Sequence, residues 1–543
     1  MSKVKDSKQK AFSNQYYRFV NNFAQTDYES SKLLGKFYTN YNVADEMISR
    51  MLDHLNPPDE SLSYRIIDPF CGDGRLVIKL LQALIKDRRF DSVTLYISIW
   101  DIDEEAVTIA QKEIEDFLTA HNRTTQINAK KTDAFVSYYE EVGTYDVCVT
   151  NPPWGLLKPQ KLFNSRCSDE ELEEYKNSIS AYDEYMKKEF FISQPTSKFG
   201  KWGTNLGRCG LEVAMKLIST TGVCGFVSPA SLFNDQVSVP FRKWIFDEFR
   251  LNSVTYYPAE LKLYGSADVS SITAIVTPGN TDTTIIRLYD KHNNYTEREL
   301  SSHDIGSVRK DEYRLPLEFG MEALSLQVQI EELNTLENYC NQNALYFTRE
   351  LDETRLSEKV QQSGKITFAK GYMVDRYSFT PDGMYLNEGI ITAPKTVMHP
   401  KLVWRDVSRN SQKRRVKAAL LPKHCIAGNS LGVIYSENND EIILKVLLAI
   451  INSFVFEFQA RRKLVSNHVP AGVLKKLKIP SIDINDYIVS LVDGRLRGDD
   501  NEALIEIWAA KMYGLDFETF IMIVDTFDVD KNEKQKLVNA WNS

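Results

Sequence analysis

Asn151-Pro152-Pro153-Trp154 sets a side-chain amide, a backbone carbonyl and an indole ring side by side, directly after the apolar run Tyr145 to Thr150. That run reads as a buried strand, and the prolines end it abruptly. Neither proline can donate a ladder hydrogen bond, and each pushes the residue before it toward extended geometry, so the chain leaves the sheet in a stiff loop. Amide and carbonyl oxygens accept from an exocyclic NH2, and an indole face stacks on a planar ring. The loop is therefore equipped to grip an amino-purine. Taken alone, the tetrapeptide also fits a strand-ending turn.

The residues upstream bear on that choice. Ile66-Ile67-Asp68-Pro69-Phe70-Cys71-Gly72-Asp73-Gly74-Arg75-Leu76 reads as a strand running into a glycine turn that opens a helix. Glycine at 72 and 74 allows backbone to approach a ligand closely. A phosphate would prefer helix N-terminal N–H groups without an acidic neighbour, so Asp68 favours a ligand with a cationic end. A second strand ends in Trp100-Asp101-Ile102-Asp103, where an acid grips ribose hydroxyls in a doubly wound sheet. Asp133, in Lys131-Thr132-Asp133-Ala134-Phe135, ends a third strand and could accept from an adenine amino group. Each is an ordinary loop residue taken singly; four successive strand ends with suitable groups describe a site. Cys71 has no base beside it in sequence and reads as a small packing residue.

The elements that must position these groups follow from hydrophobic spacing. Residues 12–33 read as a helix covering the core. Gly35 to Asn42 is a turn into an amphipathic helix with Val43, Met47, Met51 and Leu55 on one face and Asn42 as its expected N-cap. Strands are expected at 65–68, 94–100, 127–132, 146–150, 222–227, 253–257 and 271–277, with helices between most of them. This alternation predicts an α/β fold, a doubly wound parallel sheet with a late antiparallel addition. Residues 159–208 show little periodicity and read as an insertion that contacts substrate or forms a lid. After about residue 310 the alternation gives way to short strands and turns, and from about residue 484 to several helices.

At 543 residues, 43% hydrophobic and 26% charged, the chain is ordinary globular material with more than one core. Its polar, lysine-rich start, Met1 to Lys10, lacks a secretory apolar segment, and the apolar run 442–458 is broken by Lys445, Asn452, Ser453 and Glu457, so no membrane association is expected. Seven cysteines without a CxxC pair predict neither disulfides nor a metal site. The net charge of −8 conceals segregation: 16 Lys and Arg face 5 Asp and Glu between Lys395 and Pro480, a local +11 that leaves −19 elsewhere. Such a block predicts a nucleic-acid footprint, with a solvated charged face as the alternative.

On these motifs residues 30–280 resemble the class I methyltransferases that use S-adenosylmethionine, and among them the amino-methylating DNA enzymes with a D/N/S-PP-Y/F/W motif. The resemblance implies that Asp68, Gly72 and Gly74 hold the methionine end of the cofactor, with Phe70 and Ala134 also among the cofactor-binding residues. Asp101 would take the ribose, Ile102 and Phe135 the adenine faces, and Asp133 the adenine N6. Phe37 and Thr39 resemble the motif that closes over the cofactor, with Asn40 departing from the usual proline. Asn151, Pro152, Pro153 and Trp154 would be catalytic, with Trp154 and Tyr264 stacking on the target base. Only 83 residues separate Asp68 from Asn151, which places target recognition C-terminally, as in the gamma class of N6-adenine DNA methyltransferases of restriction-modification systems. Lys401 to Asp406, Ala427 to Ser430 and Lys511 to Leu515 resemble that class more loosely.

The expected organisation is an N-terminal helical extension (1–34), a Rossmann-like catalytic domain (35–310), an α+β target-recognition domain (311–482) and a helical tail (483–543). Trp404, Arg405, Lys413, Arg414, Arg415, Arg461, Arg462 and Lys463 are the expected contacts to double-stranded DNA. A bacterial or archaeal cytoplasmic monomer is expected, its cognate restriction endonuclease acting separately. The rivals are methylation of cytosine N4, of RNA or of a protein glutamine, and a non-catalytic specificity subunit. The 34 residues before Gly35 offer no obvious place for a fused nuclease.

Overall fold

The computed structural model describes residues 15–543 apart from 25, 27–28, 30–32, 58–62, 124, 196–202, 265–268, 410–411, 465–466 and 483. The chain divides into two compact units, Met1–Met321 and Glu322–Ser543.

The first unit is built on a nine-stranded sheet of order β3-β2-β1-β4-β5-β7-β6-β8-β9. Its strands are β1 (Ser63–Asp68), β2 (Thr94–Asp101), β3 (Gln126–Lys131), β4 (Tyr145–Thr150), β5 (Ile218–Pro229), β6 (Phe249–Tyr257), β7 (Ser271–Pro278), β8 (Thr284–Tyr289) and β9 (Tyr295–Leu300). β1 to β5 run parallel, and β7 lies antiparallel between β5 and β6. This is the expected doubly wound sheet with its antiparallel addition. Strands buried on both faces read as continuous apolar runs, which is why β4, Tyr-Asp-Val-Cys-Val-Thr, shows no alternation.

Helices α1 (15–23), α2 (Tyr41–Met51), α3 (Arg75–Lys86), α4 (Glu104–Ala120), α5 (Ala134–Ser137), α6 (Asp169–Glu189), α7 (Leu206–Leu217) and α8 (Val239–Glu248) accompany the sheet. Leu76, Val77, Leu80, Leu81 and Leu84 form the buried stripe of α3 and pack with Met47, Met51, Ile66, Ile97, Val147 and Val149 in one core. Each such aliphatic side chain contributes about 1.5–3 kcal/mol on burial. Two expectations are corrected. The N-cap of α2 is Asn40, whose side chain accepts from the Asn42 N–H, and not Asn42. Residues 169–189 are a helix closed by a Ser168–Glu171 capping box, not an aperiodic insertion. Of the helix expected over 12–33, residues 15–23 are helical, while 12–14 and most of 25–32 lie outside the described residues.

The second unit contains an antiparallel four-stranded sheet formed by Leu345–Thr348, Leu431–Ser436, Lys401–Arg405 and Ala418–Leu421, and a smaller sheet around Thr367–Ala369 and Cys425–Ala427. The apolar run at 442–458 forms α9 (Glu441–Ile451) and α10 (Phe454–Lys463), broken where Ser453 caps the second helix. α11 (Asp486–Arg497), α12 (Glu502–Met512), α13 (Phe517–Asp525) and α14 (Lys531–Asn542) complete the unit. No described helix is long and apolar enough to cross a membrane.

Candidate functional site

In a doubly wound sheet the crevice opens at the carboxyl ends of the strands where their order reverses. Here that point lies between β1 and β4, which end in Asp68 and Thr150. The Thr150 hydroxyl donates to Asp68 Oδ1 across it (3.0 Å), and the Phe70 N–H donates to the same oxygen (3.1 Å). Burial still dominates, raising the Asp68 carboxyl to a pKa of about 7. Asp101 is raised as well, first by burial, against hydrogen bonds from the Asp103 and Gly72 N–H groups (2.9 and 3.0 Å). Asp68 is buried and Asp101 half-buried, and a cationic ligand would stabilise the ionised form that desolvation disfavours in each.

A cleft follows from this arrangement. Phe37, Thr39, Asp68, Phe70, Gly72, Asp101, Ile102, Asp133, Ala134 and Phe135 line it, together with Asn151 and Pro153. Gly74, expected beside them, does not: it adopts φ +78° at the start of α3, where a Cβ would stand 2.9 Å from the Ala110 side chain. Its role is close packing of α3 on α4. Asp133 is heavily engaged, with Oδ1 accepting from the Phe135 N–H (2.9 Å) and Oδ2 from the Tyr182 hydroxyl (2.7 Å).

The loop Asn151–Trp154 is fastened from the N-terminal side. Asn151 Nδ2 donates to the Phe37 carbonyl (2.6 Å) and to Thr39 Oγ1 (3.1 Å). Those bonds orient the amide and leave Asn151 Oδ1 a buried acceptor without a partner. The Trp154 N–H donates to the Gly35 carbonyl (2.9 Å), and Gly35, at φ +69°, could carry no Cβ without one standing 2.7 Å from the Trp154 backbone. Arg75 grips the segment 36–40 from below, donating to the Thr39 carbonyl (2.7 Å) and to Asp73 while lying under the Tyr38 ring. Lys36 adds an ion pair to Asp103 (2.7 Å). Asn40 therefore stands in a segment already tied at Lys36, Phe37 and Thr39, and its own side chain caps α2.

A second cavity adjoins the first, with Phe37 in the walls of both. Phe37, Trp154, Asn205, Arg208 and Asp235 are among the residues lining it. Trp154 packs between Phe37 (ring centroids 5.3 Å apart, tilted 35°) and Tyr264 (4.6 Å, 62°). A base sandwiched between two rings needs roughly 7 Å, twice a van der Waals contact. Tyr264 thus meets Trp154 edge to face and does not oppose it across a base-sized gap. Cys71 is buried, its thiol pushed up by desolvation, which agrees with a packing role.

A model of the N-6 DNA methylase family matches residues 7–353. The chain belongs to the N-6 DNA methylases. It is also similar to the type II methyltransferase M.VspI of Vibrio sp. (strain 343), 30% identical over 127 residues. That match takes in 23% of this chain and 27% of the relative, so the aligned part is about a quarter of the relative's length. Among solved structures it is similar to the type IIL restriction-modification enzyme MmeI (14% identity, 96% of this chain and 81% of that one, TM-score 0.47) and the type IIG restriction endonuclease BpuSI (13% identity, 90% and 66%, TM-score 0.44).

Membership in the N-6 DNA methylases implies S-adenosylmethionine as methyl donor. The cleft suits it: anionic groups at two strand ends face a ligand that carries a sulfonium and an ammonium, and the orphaned Asn151 oxygen opens beside them. Four supporting residues of this N-6 DNA methylase escaped the sequence reading. Tyr17 lines the cleft from α1, Tyr182 and Tyr185 reach Asp133 and the Phe135 carbonyl from α6, and Arg75 holds the Thr39 carbonyl. The signal for α6 was present in the spacing of its buried residues Tyr175, Ile179, Tyr182 and Met186.

The expected DNA contacts of the second unit are largely corrected. Trp404 is fully buried and donates its indole N–H to the Val469 carbonyl (2.9 Å). Arg414 is buried on Glu506 (2.8 Å), Arg415 is buried with its N–H on Glu457 Oε1 (2.8 Å), and Arg462 is buried against Gln327 (2.8 Å). Arg405 bonds the Val374 carbonyl, Lys413 pairs with Glu533, and Arg461 pairs with Glu457 (3.0 Å). Lys463 is half-buried at the end of α10. Carboxylates from α10, α12 and α14 pair with Arg461, Arg414 and Lys413, which a count of charges along the chain does not reveal.

Proposed function

We propose that this N-6 DNA methylase transfers a methyl group from S-adenosylmethionine to N6 of an adenine flipped out of double-stranded DNA. It would act as the modification enzyme of a restriction-modification system, a cytoplasmic monomer beside a separate endonuclease. The orientation of Asn151 carries this reading. With Nδ2 committed to Phe37 and Thr39, only the oxygen can face a substrate, and an oxygen accepts from an amino group.

Adenine N6 is a weak nucleophile because its lone pair is delocalised into the ring. Asn151 Oδ1 and the Pro152 carbonyl, accepting its two N–H bonds, would draw the nitrogen toward tetrahedral geometry and localise that pair. Asp68 would hold the cationic methionine end and Asp101 the ribose; bound S-adenosylmethionine supplies an electrophilic sulfonium methyl. What the loop contributes is positioning and charge stabilisation, held rigid before the substrate arrives. The second cavity, with Trp154 in its wall, would receive the extruded base. Target recognition would fall within residues 311–482, with the tail from 483 bracing it. Exposed Lys395, Arg409 and Lys423 replace the buried arginines as proposed phosphate contacts.

The test is sequencing with modified-base detection of DNA from cells expressing the protein. We expect one sequence motif with N6-methyladenine, absent from cells expressing Asn151→Ala. Modified cytosine alone would replace the adenine reading, and no modified base would remove DNA methylation from this protein.

A further inference from the structure

The helix behind the Asn151–Trp154 loop carries a residue that its own stability does not call for. α7 is buried at every position except Lys216, and glycine stands in its interior at 210. Glycine weakens a helix relative to alanine, and position 210 is neither a turn nor a cap. The reason lies across the helix face. A Cβ on Gly210 would stand 2.4 Å from the Pro152 Cβ and 3.1 Å from the Phe70 ring. Carbon atoms in contact are about 3.5–4.0 Å apart, so one methyl group here requires a displacement of about 1 Å.

What yields is decided by how each part is held. α7 packs on β4 and β5 and is buried around its whole circumference, so it has no free space to back into. Its entry is tied to the loop. The Leu206 N–H donates to the Gly155 carbonyl (2.9 Å), the Leu157 N–H donates to the Thr204 carbonyl (2.8 Å), and Leu156 bridges Asn205 between them. On the other side Asn151 is pinned to Phe37 and Thr39, and Trp154 to Gly35. Phe70 offers only the outer edge of its ring, which turns by a few tenths of an ångström at little cost. Pro152 has no N–H to fasten it, and among the described residues none donates to its carbonyl. A methyl group at 210 is therefore taken up at Pro152.

We infer that Gly210 is a positioning residue for methyl transfer: the side chain it lacks sets where the Pro152 carbonyl stands against the target amino group. The inference rests on the proposed reaction, in which Asn151 Oδ1 and that carbonyl accept the two N–H bonds, and it names what fixes the second acceptor. Asn151 is aimed by hydrogen bonds, Pro152 by packing. A misplacement of about 1 Å in such a constellation costs about 10²-fold in rate.

The experiment is a double-mutant cycle on the full-length protein. It measures single-turnover transfer of a tritiated methyl group from S-adenosylmethionine to a duplex carrying the motif found by sequencing. Gly210→Ala is expected to lower the rate by about 10²-fold and to leave the dissociation constants of S-adenosylhomocysteine and of the duplex within about threefold. In a Pro152→Gly background, itself slow, the same substitution should cost less than about threefold, because the atom it meets is gone. Gly306→Ala, in the helix Ser302–Lys310 where a Cβ meets nothing within 4 Å, should change neither rate nor binding. An undiminished rate in Gly210→Ala, an equal loss in both backgrounds, or a loss confined to the melting temperature overturns the inference. Failure of Gly210→Ala to fold in both backgrounds also overturns it, since the glycine would then serve α7 packing alone; folding restored by Pro152→Gly locates the conflict at Pro152 and sustains it. Transfer to cytosine would replace the proposed base and leave this inference to stand on the cycle. Wild type that transfers no methyl group to DNA would end both.

Discussion

Asn151 and Arg414 are both polar side chains withdrawn from water, and both leave atoms unpaired: Oδ1 in the first, Nε and Nη1 in the second. Their surroundings separate them. Asn151 lines a cleft, so its orphaned oxygen has space for a donor from outside the protein. Arg414 lies over the Phe454 ring at 3.8 Å with its remaining nitrogen on Glu506 and Asn452, so its orphaned N–H groups face an aromatic surface and a packed interior. An unsatisfied polar atom therefore signals function only where it meets empty space; elsewhere it belongs to a structural compromise.

The largest effect that sharpens this contrast is at Arg414. Arg414→Ala removes one member of a buried group that also holds Arg376, Glu502 and Glu506. Breaking such a buried pair costs about 3–5 kcal/mol when the partner charge is left alone; Glu506 keeps Arg376 at 3.0 Å, so the loss should fall at or below the lower figure. Guanidinium denaturation of the full chain should show that loss. A variant of unchanged stability that binds DNA more weakly would return Arg414 to the DNA interface and break the comparison. Asn151→Ala should do the reverse, leaving the denaturation midpoint and the affinity for S-adenosylhomocysteine within about threefold. The methyl-transfer rate should fall by about 10²–10³, the scale for a lost group that acts on the developing charge. Near-normal turnover would show that the orphaned oxygen has no substrate.

The same contrast explains which parts of the molecule follow from sequence. β1 to β5 and the acids at their ends follow directly, because a buried parallel strand must be a continuous apolar run and the residue after it must be polar. Asp68, Asp101, Asp133 and Asn151 are recognisable for that reason. Tyr17 and Tyr182 are not, because their places beside the cleft and on Asp133 depend on two helices meeting across more than 160 residues of chain, and no local pattern encodes which tyrosine turns inward. The basic block misleads in the opposite direction. Lys413, Arg414 and Arg461 look like a surface run until Glu533, Glu506 and Glu457 are brought against them.

A smaller effect probes the ring at the end of the loop. Trp154→Ala should weaken productive binding of the target base by about 1–3 kcal/mol, the value of stacking one base, while Trp154→Tyr retains most of it. The comparison to make is KM for a cognate duplex against KM for the same duplex with a mismatch at the target adenine, where extrusion is easier. Equal values for all three proteins would make Trp154 a packing residue between Phe37 and Tyr264.

The smallest expected effect comes from Asp68, where two pH dependences run in opposite directions. Its carboxyl titrates near 7 in the folded protein against 3.8 ordinarily, because burial outweighs its hydrogen bonds. Between these values the folded state binds a proton that the unfolded state does not, so the ligand-free protein loses stability as pH rises through that window. Asp101, raised for the same first reason, acts in the same sense. Affinity for a cationic ligand has the opposite sign, since only the ionised carboxylate attracts it. As pH falls below about 7, the dissociation constant for S-adenosylmethionine should therefore rise toward tenfold per unit while the ligand-free melting temperature rises too. Asp68→Asn should bind more weakly at pH 8, flatten the binding profile, and melt higher than wild type at that pH without ligand. If binding and stability instead moved together with pH, Asp68 would be a structural carboxylate like Glu506, and the distinction between the cleft and the buried basic block would fail at its centre.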